Sequence, residues 1–381
     1  MVKLIGFLGL LLLQLSLFGQ RFQQFVPSTI SLQSKMGLLI AHRASMAHLP
    51  DKNPFAFELE LSQQDATNTR WSSIYKNPMR GLSLGYQDFG NHNVLGQGYS
   101  ISVHTAFPII QHNRLGFLDF RLNTGVGWVS RKYDAQLNPK NNAIGSHLNG
   151  YVNLMLRWQK YFKHWNIGGG IEFTHFSNAS MKPPNLGLNV PSLFIQTGYN
   201  IEQRIPYVSN REKEAFSNYD ERMVDEIYLV LNGGLKQNVA SFSDPVFRPI
   251  IGLQGLYSKR IGERWKLDLG MDLTYNDANR HFEDTSVYTV GETFQLGFYA
   301  GASMQFYKAE FLVGIGVYAI NQINPWGYVY DRLGFRYHFT DKLVAGVAIK
   351  AHYAIADFLE FSVGYRLWKG KSGAERRDTH E

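Results

Sequence analysis

From residue 55 onward the chain alternates apolar and polar side chains, one for one, over long stretches. In Phe55-Ala56-Phe57-Glu58-Leu59-Glu60-Leu61 the apolar residues fall on one parity, with two glutamates on the other. Leu118, Phe120, Leu122, Val126 and Trp128 are interleaved with Asp119, Arg121, Asn123, Gly125 and Gly127. Leu267, Leu269, Met271, Leu273 and Tyr275 alternate with Lys266, Asp268, Gly270, Asp272 and Thr274, and Leu359 to Leu367 repeat the pattern. A period of two sends successive side chains to opposite faces of an extended strand. Roughly fourteen such segments can be placed by that rule. Several run to about 10–14 residues, against about 5–6 for a usual globular strand and about 9–11 for a tilted strand crossing a bilayer. One face is lipid-like and the other carries glycine and polar groups, which is the pattern of an outer-membrane barrel. Closure also satisfies every backbone group in lipid. The fold expected is all-β, a transmembrane antiparallel β-barrel of the outer-membrane type with about 12–16 strands.

The N-terminus departs from alternation. Lys3 precedes an apolar run from Leu4 to Leu17 and then Phe18-Gly19-Gln20. A charged start, a short apolar core and a small-residue exit read as a secretory signal peptide over residues 1–20. Export to the bacterial outer membrane follows. After it, no composition shift divides the chain, so residues 21–368 read as one barrel domain and 369–381 (KGKSGAERRDTHE) as a polar tail. Within 21–48 the reading is either a strand around Lys35 to Arg43 or a periplasmic lead-in. Residues 65–78, 206–221 and 276–286 are charged or polar without alternation and read as loops.

Composition narrows the chemistry. Charged residues are 18% and aromatics 14%, which excludes a disordered chain. There is no cysteine, which excludes a disulfide-stapled domain, a thiolate metal site and a lipoprotein signal. The twelve histidines show no HExxH spacing, and there is no phosphate-binding glycine loop between a strand and a helix. The run Gly168-Gly169-Gly170 lies inside a strand and reads as relief of crowding in a barrel wall. No metal, no cofactor and no nucleic-acid partner is implied.

One stretch carries more. Over Trp165 to Ser177, Ile167, Gly169, Ile171, Phe173, His175 and Ser177 share the parity that should face lipid. His175 and Ser177 therefore stand together on the outer wall, about 7 Å apart along the strand. A histidine so placed can take the proton of a serine hydroxyl. The bland alternative is two polar side chains lying in the headgroup layer.

The string His175-Phe176-Ser177-Asn178-Ala179, followed by Pro184-Asn185-Leu186-Gly187, resembles the signature of the outer-membrane lipid A 3-O-deacylases, the PagL-type or acyloxyacyl hydrolase-like family. The resemblance implies a barrel of about eight strands carrying a His, a Ser and a Glu on its outer wall. It implies removal of the ester-linked acyl chain at position 3 of lipid A, with lipopolysaccharide in the outer leaflet as partner. Carried over, Ser177 is the nucleophile, His175 the general base and Asn178 an oxyanion-hole donor, with Asn185 and Gly187 in the turn that follows. The third member departs from the family. The glutamate expected fourteen residues after the histidine is Asn189 here. Asn189 shares its parity with Pro191, Leu193 and Ile195, so it too should face outward, beside His175. An amide can orient a histidine but adds no negative charge. Glu172 is near in sequence but of the wrong parity. Two other readings remain at this point. One is a porin-like uptake barrel whose channel is lined by Asp119, Arg121, Asp268, Asp272 and Arg366. The other is a structural barrel with an inactive deacylase-like site. Nothing in the sequence fixes the oligomeric state.

Overall fold

The computed structural model describes residues 26–64, 72, 74–112, 114–178, 182–201, 224–237, 246–281, 288–306, 308–323, 327–353 and 355–370. The signal-peptide segment, the 206–221 loop and the tail beyond residue 370 lie outside the described residues. Sixteen strands are found among them. The first eight are β1 (Thr29–Gly37), β2 (Phe55–Gln64), β3 (Met79–Asp88), β4 (Gln97–His112), β5 (Gly116–Val129), β6 (Leu148–Tyr161), β7 (Trp165–Ser177) and β8 (Leu188–Asn200). The second eight are β9 (Asp225–Gln237), β10 (Phe247–Arg260), β11 (Trp265–Asn276), β12 (Phe294–Phe306), β13 (Ala309–Asn321), β14 (Val329–His338), β15 (Leu343–His352) and β16 (Ile355–Lys369).

The ladder closes twice. Each strand pairs antiparallel with its neighbour, β8 returns to β1, and β16 returns to β9. The chain thus holds two eight-stranded barrels and two compact units, where the sequence reading placed one barrel over 21–368. The physical reason is that alternation sets which face a side chain takes. It does not set which distant strand closes the ring. Two boundaries also move. The early strand is Thr29–Gly37 and not Lys35–Arg43, because the apolar run after Gly37 does not alternate. Lys369 completes β16 and does not begin the tail.

Both barrels turn their apolar side outward. In β1, Ser31, Gln33 and Lys35 are buried while Ile30, Leu32 and Met36 are exposed. In β11, Asp268 and Asp272 are buried while Leu267, Leu269 and Met271 are exposed. A soluble domain would reverse this. The inversion marks a wall bathed in lipid, and the protein is an outer-membrane β-barrel.

An eight-stranded ring has an interior just wide enough for side chains to fill. In the first barrel Lys35 bridges Glu58 and Glu172 at 2.6 and 2.7 Å, and Arg157 reaches Glu60 at 2.7 Å and Asp119 at 3.2 Å. Arg121 joins the same cluster through Glu58 and Glu60. In the second barrel Lys266 holds Glu226 and Glu310, each at 2.7 Å, and Arg332 pairs with Asp272 and Glu360 at 3.2 and 3.1 Å. Tyr228, Tyr299, Tyr318 and Tyr330 fill the space around these ions. Asp119, Arg121, Asp268 and Asp272 therefore face inward as their parity required. They are buried partners in ion pairs, divided between two filled interiors, and do not line one channel. Buried charges of this kind are tolerated only when paired.

One end of the first barrel is closed by apolar packing. Met46, Leu49, Phe89, Leu95, Ile144, Tyr151, Phe176 and Leu188 form a single buried cluster there. Loop residues and strand ends contribute together, so this end of the ring is fixed by a core.

Candidate functional site

The seventh strand of the first barrel ends at that core. Phe176 points inward, 1% exposed, with its ring 5.3 Å from Phe89 and 5.2 Å from Tyr151. Its neighbours on the chain, His175 and Ser177, are thereby turned to the outer wall, both partly buried. The packing of one aromatic residue thus aims two polar ones.

The next strand supplies the partner. In the β7–β8 register His175 lies directly opposite Asn189. His175 Nδ1 and Asn189 Oδ1 are 2.6 Å apart. An amide oxygen only accepts, so Nδ1 carries the proton and donates it. Nε2 is then the unprotonated nitrogen, the form a general base needs. Asn189 Nδ2 lies 3.1 Å from His42 Nδ1 and donates to it. Among the described residues no carboxylate bonds His175 or Asn189. Glu172 faces the interior, where it accepts from Lys35 at 2.7 Å and from Asn153 at 3.0 Å.

The turn between β7 and β8 packs against the pair. Asn185 Nδ2 donates to Ser177 Oγ at 2.9 Å, and Asn185 Oδ1 accepts the backbone N–H of Asn178 at 2.9 Å. The side chain of Asn178 is engaged elsewhere. Its Nδ2 donates to Ser146 Oγ at 2.9 Å and to the Lys182 carbonyl at 2.8 Å. Gly187 adopts φ 81°, a left-handed conformation that favours glycine. A Cβ there would stand 2.8 Å from His175 Cε1, so glycine also leaves the imidazole its room.

Residues 58–197 match the family model described as lipid A 3-O-deacylase (PagL), and residues 225–370 match the acyloxyacyl hydrolase C-terminal domain. The chain belongs to the PagL/acyloxyacyl hydrolase family. The first match begins inside β2 and ends in β8, so it takes in His175, Ser177, Asn178, Asn185, Gly187 and Asn189 but not His42. The second coincides with the second barrel. Among solved structures, the outer membrane enzyme PagL is similar at 18% identity and TM-score 0.31, over 44% of this chain and 97% of that one. The outer membrane protein Omp33 of Acinetobacter baumannii is similar at 8% identity and TM-score 0.18, over 90% and 100%. A mutant porin of Rh. blastica is similar at 7% identity and TM-score 0.17, over 89% and 99%. No curated protein matches the chain.

Within this family's motif, the structure brings together His175, Asn189, Ser177 and Asn185 on one stretch of outer wall. Asn178 is present, but both of its side-chain amide hydrogens hold the loop. Its backbone N–H donates to Asn185 Oδ1 at 2.9 Å. Two residues were not given these contacts by the sequence. Asn185 read only as part of a turn. His42 lies beyond the end of β1, in a segment with no alternation, and its approach to Asn189 had no local signal.

The first barrel contains another serine–histidine contact. His104 lies 3.1 Å from Ser62 Oγ through Nε2 and 3.0 Å from Ser83 Oγ through Nδ1. It is 1% exposed, inside the ion cluster, where no acyl chain can reach it. In the second barrel the seventh strand ends in His352, followed by Tyr353 and Ala354, so the His-x-Ser order is absent there. His352 is buried against Asp357, 3.5 Å away.

Proposed function

We propose that the first barrel is a serine esterase that removes the ester-linked acyl chain at position 3 of lipid A. The observation that carries this reading is the 2.6 Å contact of His175 Nδ1 with Asn189 Oδ1 on the same outward face as Ser177. That face is the one a lipid in the leaflet meets, so substrate needs no passage through the barrel.

In this reading His175 Nε2 takes the proton of Ser177 as Oγ attacks the ester carbonyl. Charge develops on the carbonyl oxygen beside Oγ. Asn185 Nδ2, with a second hydrogen beyond the one it gives Ser177, is the donor at hand, while the backbone N–H of Asn178 holds the Asn185 amide in place. Such a donor acts most strongly where water is excluded. The imidazolium gives its proton to the departing sugar oxygen as the C–O bond breaks, so the sugar leaves as its hydroxyl and an acyl-serine remains. Water, deprotonated by His175, then attacks the acyl carbonyl and releases the fatty acid, regenerating Ser177. Asn189 holds the ring and tautomer without adding charge.

The test is the lipid A mass spectrum of cells with and without the protein. Expression should remove one hydroxyacyl chain, and Ser177→Ala should abolish that loss. Unchanged spectra under strong expression of a folded barrel would sink the esterase reading. A channel is disfavoured by the filled interiors, and planar-bilayer recording should give no conductance steps.

A further inference from the structure

A neutral asparagine in the third position creates a problem that a carboxylate does not have. Both oxygens of a carboxylate accept, so either orientation serves the histidine. An amide presents an oxygen on one side and an NH2 on the other. Turned the wrong way, Asn189 would offer N–H to His175 Nδ1. That would force the Nε2–H tautomer, which cannot accept the serine proton. Something must bias the amide.

We infer that His42 is the positioning residue that orients the Asn189 amide and thereby selects the catalytic tautomer of His175. This rests on the esterase reading for its functional consequence, and on geometry for its substance. His42 Nδ1 sits 3.1 Å from Asn189 Nδ2 and, with the His42 proton on Nε2, receives its N–H. With Nδ2 committed to His42, Oδ1 is left for His175 at 2.6 Å. The three side chains form one directed chain of donors: His175 Nδ1–H to Asn189 Oδ1, then Asn189 Nδ2–H to His42 Nδ1.

The backbone brings His42 there by a specific route. Past Gly37 the chain leaves β1 yet keeps following β8. Leu38 N–H donates to the Pro191 carbonyl and Ile40 N–H to the Asn189 carbonyl, each at 3.0 Å. The segment is then tied down on its far side. Asn142 Nδ2 donates to the Ser45 carbonyl at 2.6 Å, and His48 Nε2 lies 2.7 Å from the Lys140 carbonyl. Met46 and Leu49 are fully buried in the apolar cluster that also holds Phe176. His42 is therefore delivered by an anchored strap to the amide that contacts His175.

The experiment uses the folded full chain in detergent micelles, with lipid A as substrate. His42→Ala should lower kcat about three- to tenfold, the weight of one hydrogen bond, and leave KM unchanged. His42→Gln, whose side-chain oxygen can accept the same N–H, should recover most of the rate. Asn189→Asp needs no orienting partner, so His42→Ala placed on that background should change kcat less than twofold. A second readout needs no substrate. Imidazole 15N shifts should report His175 as the Nδ1–H tautomer in the wild type, mixed in His42→Ala, and restored in His42→Gln. Heat-modifiable migration on gels shows that each variant is a folded barrel. Equal losses from His42→Ala in both backgrounds, or an unchanged His175 tautomer, would overturn the inference. If the wild type releases no acyl chain, the esterase reading fails while the tautomer measurement still decides the role of His42.

Discussion

Replacing Asn189 by aspartate changes Nδ2, the amino group that faces His42, into an oxygen with almost no change of volume, and so makes a carboxylate of the side chain whose Oδ1 lies 2.6 Å from His175 Nδ1. In a serine esterase the histidine becomes positively charged as it takes the serine proton. The neutral amide of Asn189 meets that charge with a hydrogen bond to a dipole. A carboxylate would meet it with a charge-assisted bond. Ordinary hydrogen bonds contribute about 0.5–1.5 kcal/mol and those to charged groups about 1.5–3 kcal/mol, so the difference is about 1–2 kcal/mol. Since about 1.4 kcal/mol is tenfold in rate, Asn189→Asp should raise kcat about five- to thirtyfold. The gain is far smaller than the roughly 10⁴-fold loss seen when the triad aspartate of a serine protease becomes asparagine. That loss comes from the wrong tautomer, and here Oδ1 already faces Nδ1. The assay is single-turnover release of the hydroxyacyl chain from lipid A micelles, read by mass spectrometry. A rate equal to or below that of the wild type, in a barrel that still shifts on heating, would refute the charge argument and the place of Asn189 in the site.

Other perturbations separate aim from stability. Gly187→Ala must adopt φ 81° and push on His175, costing about 1–2 kcal/mol in backbone strain and moving the ring. Misplacement by about 1 Å costs on the order of 10²-fold, so kcat should collapse while the gel shift persists. Phe176→Ala empties the aromatic site between Phe89 and Tyr151 and should cost about 3–5 kcal/mol, seen as a lower urea midpoint for the first barrel and as lost activity. Ile171→Arg puts a charge on the lipid face midway along β7, and should destabilise the barrel by about 2–4 kcal/mol in refolding titrations into vesicles.

The sequence by itself determined the strands and their faces. Alternation is local, and Glu58 and Arg121 of the buried ion network were legible as inward parity before any partner was known, whereas Lys35 lay in a stretch read either as a strand or as a periplasmic lead-in. It also placed His175, Ser177 and Asn189 on one outward face, because parity along β7 and β8 and the fourteen-residue spacing fix that jointly. Only the tertiary structure decided that the ladder closes at β8 and again at β16, since pairing of β1 with β8 joins residues more than 150 positions apart. Only it decided that Asn178 spends its side chain on Ser146 and Lys182 while Asn185 takes the serine. Only it brought His42 to Asn189. These last facts depend on how loops pack over the barrel end, on Met46, Leu49 and Phe176 sharing one core, and no periodicity records which loop meets which. A strand announces its face every second residue. A loop announces its neighbour only when the whole ring has closed.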